Sequence, residues 1–525
     1  MPSSTLKNSI TDTFHQLDKG LAEHVFAFAP REVGYVTSVA TGIVKISGLE
    51  GAGFEELLKF SEDLYGIAYN LDEDEIGVIL LGEDTLLNAG DEVERTGRVM
   101  DIPVGDHLIG RVIDPMGIPI DGKGNIATNK RLPIERPSHA IMDRTAVNAP
   151  LQTGVKVIDA LIPIGRGQRE LIVGDRQTGK TQIAIDTILN QQGKDVVCIY
   201  CAIGQRAAAV AKVIANLEQK GAMDYTVVMV AEGNHAAGLK YIAPYAATSI
   251  AEYFMEEGRN VLIVYDDLTH HARAYRELSL LLRRPPGREA FPGDIFYIHS
   301  RLLERATHLS AQLKGGSLTA LPIIETEAQN ISAYIPTNLI SITDGQIYLS
   351  PKLFEAGNLP AVDVGKSVSR VGSAAQLPAY KSIVSLKLQY AQFEELENFS
   401  RFGTRLDKNT KKVIDHGLRI RSCLKQNELH PLTVSEQIVI LLALTNGLFD
   451  AIPVDKIADA EAVILKDMGR FPAEMFKRLF DDKPLNDADH DTILKIAGEL
   501  LAPFNEKPEA DKPEPDKPEP DKPSK

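Results

Sequence analysis

Residues 174–181 read Gly174-Asp175-Arg176-Gln177-Thr178-Gly179-Lys180-Thr181, filling every fixed position of the pattern G-x-x-x-x-G-K-[ST]. The apolar run Leu171-Ile172-Val173 precedes it, and Ile183, Ile185, Ile188 and Leu189 follow at helical spacing. A strand therefore feeds the loop and a helix leaves it, a unit that belongs in a largely parallel α/β sheet. Glycine lets backbone amides wrap an anion at the helix N-terminus, the ammonium of Lys180 neutralises outer phosphates, and the Thr181 hydroxyl suits Mg²⁺. The expected ligand is a nucleoside triphosphate with Mg²⁺.

Two further segments bear on that site. Val261-Leu262-Ile263-Val264-Tyr265-Asp266-Asp267 is a buried-strand run ending in two carboxylates, and Asp266 is the expected Mg²⁺-side acid. The strand ending at Ile203 runs into Gly204-Gln205-Arg206, where hydrolysis would call for a carboxylate to take a proton from water. Gln205 can orient water but cannot accept its proton, so the spacing points to a site that binds ATP without turning it over well. His270-His271 reads as a solvated pair, because adjacent helical residues face about 100° apart and cannot chelate jointly.

Composition narrows the class. The 525 residues exceed one hydrophobic core. With 57 Lys and Arg against 72 Asp and Glu, the net charge of -15 repels phosphate backbones, so nucleic acid is not an expected partner. Three cysteines, Cys198, Cys201 and Cys423, are too few for a disulfide framework. Cys198 and Cys201 lie three apart in a strand-like run and so point to opposite faces, as packed thiols rather than a metal pair. No segment reads as a signal peptide or membrane span.

The organisation along the chain reads in five parts. Residues 1–23 form a helical segment with Leu6, Ile10, Phe14, Leu17 and Leu21 on one face. Residues 24–95 hold short β-rich runs punctuated by glycine, including Val33–Val36, Ile43–Ile46 and Ile76–Leu81, which suggests a small β-barrel. Residues 96–372 alternate strands and helices as a P-loop α/β domain, and residues 373–506 read helical, with a capping box at Thr433-Val434-Ser435-Glu436 and a last amphipathic helix through Ile493, Ile496 and Leu500. Residues 507–525 carry 6 of the 29 prolines in an Asp-Lys-Pro-Glu-Pro repeat and read as a disordered tail. Arg283–Asp294 is a charged, proline-stiffened loop, either a surface turn or a collar for another subunit.

Long ungapped strings then show that the chain resembles the alpha subunit of F-type ATP synthases from roughly Leu21 to Phe504. They are Pro163–Glu170, the phosphate loop, Tyr265–Leu268, Leu280–Asp294, Tyr334–Asn338, Ser341–Gln346 and Ser367–Gln376. The resemblance implies a β-barrel crown, a central RecA-like domain and a C-terminal helical domain. It implies three alpha subunits alternating with three beta subunits around a central-stalk gamma subunit, a peripheral stalk, and a membrane sector that translocates protons or sodium, on the cytoplasmic face of a bacterial inner membrane. It further implies that this subunit holds MgATP without cycling it, through the phosphate loop with Gln205, Pro360 and Gln426, and with Thr181 and Asp266 at the metal. Arg370, set among small residues in Ser369-Arg370-Val371-Gly372-Ser373, is then free to project outward into the neighbouring beta site. Gln205 stands where the beta subunit carries its catalytic glutamate.

Some positions depart from that family's habits: Gly357-Asn358-Leu359-Pro360 lacks an arginine, Lys425-Gln426-Asn427-Glu428 ends in a carboxylate, and Lys366 replaces an aliphatic residue. Leu359 and Glu428 are expected to weaken nucleotide retention, and the departures suggest a divergent, second copy of the enzyme. Two other RecA-like readings compete: an RNA translocase, which would need a basic, aromatic barrel where Glu55-Glu56, Glu62-Asp63 and Asp72-Glu73-Asp74-Glu75 stand, and a secretion-associated ATPase, which would need a carboxylate at Gln205.

Overall fold

The computed structural model of the chain describes residues 32–60, 64–85, 87–400 (398–400 as backbone alone), 407–481 and 483–505. The expected N-terminal helix and the proline-rich tail lie outside the described residues. The chain divides into two compact units, Met1–Val99 and Met100–Lys525.

In the first unit, β1 (Val33–Ala40), β2 (Ile43–Ser47), β3 (Glu56–Lys59), β4 (Tyr65–Leu71), β5 (Ile76–Leu80) and β6 (Glu92–Val99) close into a barrel in the order β1-β2-β5-β4-β3-β6. Its interior is filled by Val36, Val44, Ile46, Leu58, Val78, Leu80 and Val93, which is the inward set that two-residue alternation selects. Gly66 lies on a strand where a Cβ would meet Val78 Cγ1 at 2.6 Å, so only glycine lets β4 and β5 approach this closely. The six-strand closure agrees with the expected small barrel.

The second unit contains β7 (Asp101–Pro103), β8 (Val112–Ile113), β9 (Arg131–Pro133), β10 (Pro150–Leu151), β11 (Ile164–Gly165), β12 (Leu171–Asp175), β13 (Val196–Gln205), β14 (Thr226–Glu232), β15 (Asn260–Asp266), β16 (Ser317–Thr326), β17 (Gly345–Leu349) and β18 (Val368–Ser369). Eight of these form one sheet in the order β18-β17-β12-β16-β15-β13-β14-β8, parallel except for the β17–β18 pair at the edge. Its helices are α1 (Lys156–Leu161), α2 (Lys180–Leu189), α3 (Ala207–Gln219), α4 (Ala237–Glu256), α5 (Leu268–Leu281), α6 (Ile295–Leu303), α7 (Tyr334–Ile342), α8 (Pro351–Glu355), α9 (Ser385–Ser400), α10 (Lys408–Cys423), α11 (Val434–Thr445), α12 (Ile457–Lys466), α13 (Ala473–Arg478) and α14 (Asp487–Leu501). The middle strands are buried on both faces and read as continuous apolar runs, as a helix-covered parallel sheet requires.

One apolar core runs from the sheet into the helical part, from Ile172 and Val264 through Tyr380 and Phe393 to Ile438–Leu444 and Ile493. Helix α11 is its axis: Ile438–Leu444 are all fully buried, so the helix is apolar on every side. The expected capping box starts it, with Thr433 N donating to Glu436 Oε2 at 2.7 Å. Buried polar joints tie the two parts. Asp159 of α1 accepts from Thr153 N, Gly154 N and Gln437 Nε2 of α11, and Lys156 pairs with Glu461 of α12. Cys198, Cys201 and Cys423 are free and buried, in keeping with packed thiols.

One expectation is corrected. His271 is not solvated: it is fully buried, its ring stacks on Tyr241 with centroids 5.6 Å apart, and its Nδ1 lies 3.3 Å from His299 Nε2. The reason is helical phase, since Leu268, His271, Ala272 and Tyr275 share the inward face of α5. Burial lowers the pKa of His271 well below the ordinary histidine range.

Candidate nucleotide site

The phosphate loop and the acidic side chains beside it stand at the carboxyl ends of parallel strands. The loop between β12 and α2 supplies Asp175–Gly179, β13 ends in Gln205, β15 ends in Asp266, and β16 ends in Glu325 and Thr326. Such an edge is where open α/β sheets gather ligand-binding loops. β16 is inserted between β12 and β15, so the loop and Asp266 stand two strand spacings apart, and a side chain from α2 must bridge them.

Thr181 makes that bridge: its Oγ1 donates to Asp266 Oδ2 at 2.7 Å. Asp266 also accepts from Tyr200 OH at 2.7 Å and from Gln205 Nε2 at 3.0 Å. Burial raises the Asp266 carboxyl above its ordinary range, opposed by the Thr181 and Tyr200 hydroxyls and by the charge of Lys180. Asp267 caps α5 by accepting from His270 N at 3.0 Å, and burial beside Asp266 pushes it up to about 8. The phosphate loop is held from its own side. Thr178 Oγ1 and Lys180 Nζ donate to Asp175 O at 2.8 and 2.6 Å, while Asp175 Oδ1 accepts from Thr326 Oγ1 at 2.5 Å and Gln329 N at 2.9 Å. Gly179 adopts φ +94°, a conformation that turns the loop into α2 and that other residues rarely adopt. Burial lowers the Lys180 pKa, and Glu325, Asp267, Asp266 and Asp175 oppose it.

Alongside α2 a cleft of about 430 Å³ is lined by Val155, Thr178, Gly179, Gln182, Ile183, Asp186, Phe354, Leu359, Pro360, Gln426, Asn427 and Glu428. The expected residues Pro360 and Gln426 are thus brought to the phosphate loop from segments far along the chain. Gln426 is fastened to the backbone, with Nε2 donating to Gly154 O at 2.7 Å and His430 O at 2.9 Å and Oε1 accepting from Lys156 N at 3.0 Å. It shapes the cleft with its amide already paired. Asp186 Oδ1 accepts from Gln182 Nε2 and Leu429 N, and burial with the nearby charge of Glu428 pushes its carboxyl up to about 6.

Sequence reasoning missed Tyr200, Gln182, Asp186 and Phe354. For Tyr200 a signal existed: it shares a strand face with Ala202, which the β13–β15 register sets beside Asp266. Nothing in the local pattern marked the others.

Arg370 is elsewhere. Ser369 pairs with Gly345 at the start of β17, whereas the loop's Gly174 pairs with Leu349 at its end. Four strand residues, roughly 13 Å, separate the two levels. Nor does Arg370 project freely as expected: although exposed, its Nη1 donates to Thr343 O at 2.9 Å and its Nη2 to Ile340 O at 3.3 Å, at the C-terminus of α7. Those carbonyls lack helical partners, which makes them acceptors for a nearby guanidinium.

A closed barrel, a parallel sheet with a phosphate loop and a strand-end aspartate at its carboxyl edge, and a helical domain sharing the sheet's core define a multidomain P-loop nucleotide-binding protein. Family profiles match in the same order: the ATP synthase alpha/beta family beta-barrel domain over residues 31–97, its nucleotide-binding domain over 154–369, and the C-terminal domain of the alpha/beta chain over 376–500. The chain is 66% identical to ATP synthase subunit alpha 2 of Albidiferax ferrireducens over 97% of this chain and 96% of that one. It is 69% identical to ATP synthase subunit alpha 1 of Marinomonas sp. over 91% and 94%, and 64% identical to that of Chlorobium luteolum over 95% and 98%. The chain therefore belongs to the alpha-subunit family of F-type ATP synthases, and with it to an ATP synthase complex that includes beta and other subunits. Its nucleotide-binding domain is one for ATP. Among the described residues no helix is long and apolar enough to cross a membrane.

Proposed function

We propose that this chain is the noncatalytic, ATP-holding subunit of its complex and that it lends Arg370 to the neighbouring beta subunit. The observation supporting this reading is at the end of β13, where Gln205 stands with its amide Nε2 donating to Asp266; hydrolysis would call for a carboxylate at such a strand end. An amide takes no proton from water at neutral pH, so the site lacks a base there. Gly174–Gly179 and the free amides opening α2 cradle the phosphates, Lys180 exchanges the Asp175 carbonyl for them, and Gln205, Pro360 and Gln426 shape the remainder of the site. The donor set also suits Mg²⁺, which takes one or two hard protein oxygens and fills its shell with phosphate and water; Thr181 and Asp266 would hold it. When bound, that ion neutralises phosphate charge.

The remoteness of Arg370 from its own phosphate loop supports action in trans. A guanidinium pairs with the charge that builds on the outer phosphate during transfer. In the complete reading, three such chains alternate with three beta subunits around a gamma shaft, under a peripheral stalk and a membrane sector moving protons or sodium, on the cytoplasmic face of a bacterial membrane. The loop Arg283–Asp294 is the segment nearest the shaft. The parts divide as 1–23, 24–95, 96–372, 373–506 and 507–525. The relatives' names carry the numerals 1 or 2, which favours a second enzyme copy. The test uses the isolated chain: it binds MgATP, loses binding on Lys180→Ala, and hydrolyses at background. Robust turnover abolished by Lys180→Ala would overturn the noncatalytic assignment.

A further inference from the structure

Helix α7 grips a different segment at each end. At its C-terminus sits Arg370, with Nη1 on Thr343 O at 2.9 Å and Nη2 on Ile340 O at 3.3 Å. The Arg370 backbone N also donates to Asp344 O at 2.8 Å, so the guanidinium can turn outward while its root stays on the end of α7. At the N-terminus sits the loop Arg283–Asp294. Tyr334 N, one of the amides a helix leaves without an internal partner, donates to Glu289 Oε1 at 3.2 Å, and a carboxylate is the favoured charge at that end. Arg288 places its guanidinium 5.5 Å from the centre of the Tyr334 ring and donates through Nη2 to Ser332 O at 3.2 Å. Phe291 sets its own ring 6.1 Å from that of Tyr334.

The loop is stiff. Pro285, Pro286 and Pro292 fix three of its φ angles. Arg283, Glu289 and Ala290 hold φ of +59°, +53° and +59°, conformations that residues other than glycine keep only where the surroundings impose them. Part of those surroundings is α5: the Arg276 guanidinium lies 4.7 Å from the centre of the Phe291 ring, Arg276 Nη1 donates to Glu289 O at 3.3 Å, and Tyr275 OH donates to Asp294 Oδ2 at 2.7 Å. Between its two grips α7 is one short rod that buries Ile335, Pro336, Leu339 and Ile342. From Tyr334 to Thr343 it rises about 14 Å. A packed face holds a helix against its sheet; ties at its ends set its place along its own axis.

We propose that α7 is a strut through which the loop Arg283–Asp294 sets the position of Arg370, with Arg288, Glu289 and Tyr334 as the positioning residues. The proposal rests on the reading in which Arg370 acts at the neighbouring subunit. A guanidinium that must meet charge developing on a phosphate in another chain needs a fixed root, because a misplacement of about 1 Å can cost about 10² in rate. Arg288 and Glu289 are exposed, so a subunit pressing on this loop bears on Arg370 as well.

The experiment uses the complex reconstituted with its partners and follows ATP turnover by release of radiolabelled phosphate, which reaches very low rates. It compares wild type, Glu289→Ala, Glu289→Gln, Arg370→Ala and the double variant Glu289→Ala with Arg370→Ala. Glu289→Ala removes the acceptor from Tyr334 N and should lower kcat by roughly tenfold or more with KM unchanged, the signature of an interaction made only in the transition state. Glu289→Gln keeps an acceptor and should keep most of the rate. In the double variant the loop substitution should add no further loss to that of Arg370→Ala. Normal kcat in Glu289→Ala, or a loss of equal size with and without Arg370, overturns the strut while leaving the trans role of Arg370 intact. Near wild-type turnover in Arg370→Ala overturns the trans role and the strut together.

Discussion

Replacing Arg370 with alanine separates a role in trans from a structural one, because the two predict effects of very different size. Within its own chain the guanidinium makes two hydrogen bonds, to Thr343 O and Ile340 O, on an exposed surface at a helix C-terminus. A net hydrogen bond contributes about 1 kcal/mol, and solvent can replace the donor at both carbonyls, so the isolated Arg370→Ala chain should lose at most about 2 kcal/mol of stability. At a neighbouring site the same group would stabilise phosphoryl transfer by about 10³ to 10⁵ in rate, or roughly 4–7 kcal/mol. The assay pairs thermal unfolding and MgATP binding of the isolated chain with steady-state ATP turnover of the complex reconstituted with its partners. The expected result is near-normal unfolding, binding and assembly, with turnover lower by three orders of magnitude or more. Lysine should rescue poorly, since a point charge does not reproduce the planar fork. A complex that assembles with Arg370→Ala and keeps turnover within tenfold of wild type refutes the reasoning.

Three further outcomes follow from the geometry. Burial raises the Asp186 carboxyl from 3.8 to about 6, so the folded chain holds this proton more tightly than the unfolded one, and stability is lost as pH rises from about 4 through 6. Asp186→Asn keeps the acceptor used by Leu429 N and should raise the unfolding midpoint at pH 8 by the equivalent of roughly 3 kcal/mol at most; a gap that does not shrink toward pH 4 would contradict this. Lys156 and Glu461 form a buried pair between α1 and α12; Lys156→Met strands the carboxylate and should cost about 3–5 kcal/mol in urea unfolding, much of it recovered by Lys156→Met with Glu461→Leu. Gln205→Glu sets a second carboxylate where an amide now donates to Asp266 at 3.0 Å; the variant's unfolding midpoint should fall at pH 8 and recover with Mg²⁺, and indifference to Mg²⁺ would argue against Asp266 as a metal position.

What the sequence determined by itself is whatever short-range chemistry dictates. Gly174–Thr181 with its flanking strand and helix, three of the barrel strands (β1, β2 and β5), the Thr433 capping box and the apolar run of α11 were legible because backbone preference, two- or four-residue periodicity and neighbouring donors and acceptors settle them. Strand order and helical phase belong to the tertiary structure. No local pattern says that β16 enters between β12 and β15 and leaves Thr181 to span the gap, or that α5 turns His271 inward. Nothing local shows Gln426 spending its amide on Gly154, Lys156 and His430, or Glu428 lining the same cleft as Thr178 and Gly179. Arg370 is the sharpest case. Its neighbours suggested a free side chain, but pairing of Ser369 with Gly345 sets it at the far end of the sheet from the phosphate loop, on the carbonyls of α7. Parallel pairing joins segments through long crossovers, and which end of the sheet a residue reaches depends on register between strands distant in the chain.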